Sequence, residues 1–146
     1  MTNIWRIIAS TSVSLFLLTV AASAADGSAA EPEYSATYKT CMEKADGGTY
    51  QMGECNTAEI ARQEKALNDI YKKIMAEWTG DDYKNKRDGL QKAERAWVAF
   101  RSAQCDFDAM VEEGGTLERI LNQQCYLDMT YKRVKELQSD LEDGLY

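Results

Sequence analysis

The chain has 146 residues, 24 acidic and 17 basic side chains, a formal charge of −7 and no histidine. The length fits a single domain, and the acid excess disfavours nucleic acid and anionic lipid as partners while suiting a basic protein. Without histidine the chain lacks the usual general base, the usual nucleophile activator and the commonest metal ligand.

Residues 1–24 read as a secretory signal peptide. Arg6 gives a short basic start, "IIASTSVSLFLLTVA" is an apolar run too short and too rich in Ser and Thr for a comfortable membrane span, and Ala22-Ser23-Ala24 offers a cleavage site. No cysteine follows the apolar run, so no lipid anchor is expected. The mature chain is expected in the periplasm or secreted. Residues 25–34, with the only proline, Pro32, read as a flexible leader, and 35–146 as the folded domain.

Beyond Pro32 no alternation of period two signals a strand. Glycine turns at Gly47-Gly48, Thr79-Gly80 and Gly114-Gly115 divide the chain into four helical segments, which predicts an all-α antiparallel bundle of about four helices. The first spans Ser35–Ala45. The second spans Thr49–Trp78 and sets Ala66, Leu67, Ile70, Tyr71, Ile74 and Trp78 on one face. Gly53 and Asn56-Thr57 predict a late start or a bend in it. Asp81 or Asp82 is expected to cap the third helix. Its apolar face is expected to carry Tyr83, Leu90, Ala93, Trp97, Phe100, Phe107 and Met110, with Gly89 as an internal weak point. Thr116 is expected to cap the fourth, which carries Leu117, Ile120, Leu121, Leu127, Val134, Leu137 and Leu141.

Four cysteines in an exported chain read as a disulfide framework, and none forms the close C-x-x-C pair that zinc favours. In a helical hairpin, residues equidistant from the turn lie level. Cys41 and Cys55 are level about Gly48, and Cys105 and Cys125 about Gly115, which favours those two pairings. Cys55 and Cys105 are also level about Gly80, so the connectivity is not forced.

The same reasoning sets Arg101 opposite Glu59 about Gly80. It predicts an interhelical ion pair, with the arginine stem on Trp97 and Phe100 in the core. No phosphate loop, nucleophile–base pair or converging carboxylates point to catalysis, and no metal or cofactor is expected.

Five stretches, "TYQMGEC", "LNDIYKKIM", "AERAWVAFRSAQCDF", "GGT" and "CYLDMTYKRVKEL", follow in an order and spacing that resembles the LprI-type lysozyme-inhibitor domain. The resemblance spans nearly all of the mature chain. It implies a small, helical, disulfide-bonded, exported protein that binds and blocks a basic c-type lysozyme, because the family's founding member is a lipoprotein with that activity. Lacking a lipid-anchor site, this chain is expected to act untethered. The expected contact is the turn of Gly114 and Gly115, flanked by Glu112 and Glu113. The alternative is a non-catalytic periplasmic interaction or envelope-stress module with a bacterial partner. A direct comparison of lysozyme binding with capture of a periplasmic protein separates the two.

Overall fold

The computed structural model describes residues 32–144. The signal-peptide reading of residues 1–24 and the first part of the leader lie outside the described residues. Four helices follow one another: α1 (Ala36–Ala45), α2 (Thr49–Glu77), α3 (Lys84–Ala109) and α4 (Glu118–Glu142). Short 3-10 turns at Asp81–Tyr83 and Met110–Glu112 precede and follow α3, and no strand is present among the described residues.

Local chemistry sets the ends. The Ser35 hydroxyl caps α1 by accepting from the Tyr38 amide at 3.0 Å. Gly80, at φ 87°, occupies the left-handed region that other residues avoid and turns the chain out of α2. Arg87 secures that turn by donating to the carbonyl of Gly80 at 2.8 Å and to that of Trp78. Two expected caps are not used. The turn Asp81–Tyr83 satisfies the Lys84 amide through the Asp81 backbone carbonyl, so neither Asp81 nor Asp82 caps α3 with its side chain. Leu117, rather than Thr116, stands at the N-cap of α4, and no side chain caps that helix.

The second helix does not start late. Gly53 lies within an unbroken α2, and a Cβ there would run into the Arg119 guanidinium from α4. The glycine leaves room for that side chain against α2, and Thr57, one turn on, receives a hydrogen bond from Gln123 at 3.0 Å. By contrast, Gly89 in α3 has open space where a Cβ would go. Gly89→Ala should therefore raise stability by about 0.5–1 kcal/mol, read as a higher urea midpoint at unchanged slope.

These contacts set α4 parallel to α2, while α3 runs antiparallel to α4 and α1 folds back on α2. Ile70, Ile74, Trp78, Leu90 and Leu137 form one apolar cluster, and Tyr38, Cys55 and Leu127 form another. A polar layer of Asn56, Glu59, Arg101 and Thr130 lies between them in chain order along the helices. Where α2 and α3 splay, Leu67, Tyr71, Arg95 and Val98 line an open groove of about 380 Å³.

The face that α3 buries differs from the expected one. Leu90, Arg101, Cys105 and Ala109 are inside, whereas Phe100, Phe107 and Met110 are exposed, as are Tyr83 and Ala93. Cys105 is tied to Cys125 of α4 and sets the rotation of α3. One residue turns a helix by about 100°. Phe100 therefore sits a quarter-turn from Arg101, and Phe107 nearly half a turn from Cys105. Trp97 is half-buried.

Candidate functional site

The polar layer is built from both residues that the sequence singles out as an ion pair, but they do not meet. Glu59 is fully buried and faces α1. It accepts from the Ser35 amide at 3.2 Å, the Ser35 hydroxyl at 2.7 Å, Arg62 Nε at 2.6 Å and Gln63 Nε2 at 3.1 Å. A carboxylate on α2 thus completes the cap of α1, the service that a glutamate within the same helix gives in a capping box. Arg101, 6% exposed, pairs with Glu64 at 3.0 Å and donates to the Thr130 hydroxyl at 2.6 Å. Its guanidinium lies between the rings of Trp97 and Tyr126, 4.9 and 4.7 Å from their centroids. The Asp81–Tyr83 turn lengthens the connection, so the helices are level near residues 82–83 rather than at Gly80. Arg101 therefore meets Glu64 instead of Glu59.

A second network ties the chain start to α4. Tyr34, assigned to the leader from the sequence, instead packs edge-on against Tyr38 and Tyr131 and donates to Asp128. The single Tyr38 hydroxyl proton faces two acceptors, Asn56 Oδ1 at 2.9 Å and Gln124 Oε1 at 3.2 Å. These side chains hold one another in place and tie Tyr34 and α1 to α4.

The titrating groups bound the stable pH range. Burial pushes the Glu59 carboxyl up, but the hydrogen bonds from Ser35, Gln63 and Arg62 outweigh it and hold the group below its usual 4.5. Burial, followed by the charge of Asp128, pushes the Tyr38 phenol above its usual 10.0, and burial and the bond to Asp128 do the same to Tyr34. A lowered acid stabilises the fold above its unfolded pKa, and that contribution is lost as the pH falls through the folded value. A raised phenol stabilises below its unfolded pKa and is lost as the pH rises through the folded value. Chemical denaturation across pH should therefore show full stability between these limits, with losses beginning below pH 4.5 and above pH 10.0.

The surface is most distinctive at one end. The contact of Gly53 with Arg119 puts the first turns of α2 and α4 at the same level, so the Gly47-Gly48 and Gly114-Gly115 turns share an end. Disulfides Cys41–Cys55 and Cys105–Cys125, with Cα atoms 5.8 and 5.4 Å apart, close the two hairpins there. Tyr50, Phe107, Met110, Val111, Leu117 and Leu121 are exposed at this end. From Asp106 to Glu118 the chain carries five carboxylates and no lysine or arginine. The expected contact residues Glu112, Glu113, Gly114 and Gly115 form the tip of the second turn. There the Gly115 amide donates to the Glu112 carbonyl at 2.7 Å, and the Gly114 amide donates to Glu118 at 2.9 Å.

The apolar residues of this tip escape sequence reasoning that treats every apolar residue of α3 as core. The signal that locates them is Cys105: once it faces α4, Phe107 and Val111 cannot. Among the described residues, no group of three or more Cys, Asp or Glu side chains is arranged to hold a metal ion. No helix among them is long and apolar enough to cross a membrane.

A family model described as lysozyme inhibitor LprI matches residues 41–137, a stretch that holds both disulfides, the polar layer and the tip. An uncharacterized protein of Rhizobium meliloti (strain 1021) is 28% identical over 99 residues, covering 62% of this chain and 71% of that protein. No solved structure matches.

Proposed function

Because the chain belongs to the lysozyme inhibitor LprI family, we propose that it is exported, freed of residues 1–24, and blocks a basic c-type lysozyme by occupying its cleft. Family membership is the observation that carries this reading. The mechanism is occlusion and involves no chemical step. The acidic tip at Glu112 and Glu113 attracts a cationic cleft, and its charge speeds encounter more than it tightens the complex. Cys105–Cys125 and the hydrogen bonds within the Glu112–Glu118 turn restrain the tip, so little conformational freedom is lost on docking.

Titrating the purified mature protein into c-type lysozyme, with lysis of cell walls as the readout, tests the proposal. Inhibition should reach completion near equal stoichiometry at micromolar protein and weaken as salt is raised. Undiminished lysis at micromolar excess and low salt contradicts it.

A further inference from the structure

We propose that Phe107, Met110, Val111 and Leu117 form an apolar anchor that seats the α3–α4 turn in the cleft of a cationic protein, with the surrounding carboxylates acting as its rim. The inference rests on the lysozyme reading above and deepens it, because that reading invokes charge alone.

Isolated exposed apolar side chains are ordinary on protein surfaces. Here Phe107 is 66%, Met110 59% and Val111 79% exposed within five consecutive residues, and Leu117 follows across the turn. A grouped set of large apolar residues with a polar border is the composition of an interaction site. The backbone beneath it is fixed. Cys105–Cys125 staples the helices, Asn122 donates to Asp106 at 2.8 Å, and the Glu112–Gly115 bond closes the turn.

The border identifies the occupant. None of Asp106, Asp108, Glu112, Glu113 and Glu118 is paired with a lysine or arginine among the described residues. Docked tip to tip, a second copy of this chain would set five carboxylates and the neighbouring Arg119 against the same set, a net clash of like charge, and an anionic lipid surface would be repelled in the same way. A basic protein with an apolar floor and a cationic rim satisfies both halves of the surface. In such an interface the buried apolar residues set the lifetime of the complex and the rim sets the rate of encounter.

Binding kinetics against a purified basic c-type lysozyme separate the two contributions. Phe107→Ala and Val111→Asp should each dissociate about tenfold faster than wild type, with the salt dependence of association unchanged or steeper. The double variant Glu112→Lys, Glu113→Lys should associate about tenfold more slowly at low salt. Val111→Asp is decisive because it adds a negative charge to an acidic tip: attraction by charge alone would make it bind as well as wild type or better. Both substituted side chains are exposed, and thermal melts confirm that the variants fold. Tyr83→Ala, at the opposite end, should bind as wild type. If wild type binds and Phe107→Ala and Val111→Asp match it, the anchor is refuted while the lysozyme reading stands. If wild type does not bind, the lysozyme reading falls and the anchor with it.

Discussion

Glu59→Ala is expected to destabilise the protein by about 2–4 kcal/mol, the combined loss of a buried carboxylate's hydrogen bonds and the void it leaves. The carboxylate is fully buried and accepts four hydrogen bonds, two of them from Ser35 at the start of α1. Removing it orphans the Ser35 amide and leaves a void between α1 and α2, although Arg62, which is partly exposed, can turn to water. Cys41–Cys55 keeps α1 tethered, so the helix should loosen at its first turn rather than detach. Glu59→Gln keeps the volume but points an amide donor at other donors, and should cost about 1–3 kcal/mol. It should also make the acid limb of the stability profile shallower, because Glu59 no longer titrates, while Asp69 and Asp88, held low by Lys65 and Lys84, still do. Denaturant melts at neutral and acidic pH test both points. A loss below about 1 kcal/mol for Glu59→Ala would show that α1 docks by other means.

Replacing Cys105 and Cys125 together by alanine is expected to lower stability by about 3 kcal/mol, the loop-entropy value for a 20-residue separation. The functional effect should exceed the thermodynamic one. This bond fixes both the rotation of α3 and the base of the acidic tip. Without it Asp106 to Leu121 should sample many arrangements, and lysozyme binding should weaken more than in the matching Cys41, Cys55 variant. Cys41–Cys55 closes a hairpin that carries only Tyr50 of the exposed apolar residues described at this end. Equal binding by the two double variants would separate the tip from recognition.

Much of the architecture is legible in the residues themselves. Glycines at 47–48, 80 and 114–115 interrupt otherwise continuous helical sequence, and the helix ends fall within a few residues of where they predict. Cysteines equidistant from two of those glycines are the ones that pair. The face of α3 is harder to read, since its apolar residues surround the helix. The charged Arg101 points inward while Phe100 and Phe107 point out. Hydrophobicity favours the opposite assignment; stacking between Trp97 and Tyr126 and a bond to Thr130 make the buried guanidinium acceptable. Glu59 is mispaired for a related reason. Counting from a glycine takes it as the centre of the hairpin, and the 3-10 turn after Gly80 moves that centre by two to three residues. The family is written in the motifs that build this core, whereas the proposed contact lies on a turn whose role depends on a partner.

Amide hydrogen exchange of the mature protein, alone and saturated with a basic c-type lysozyme, tests the central claim most directly. The account predicts slowed exchange concentrated between Asp106 and Leu121, with the turn at Gly80 and the groove beside Tyr71 and Arg95 unchanged. Protection centred on that turn or that groove, or no protection anywhere, would contradict it.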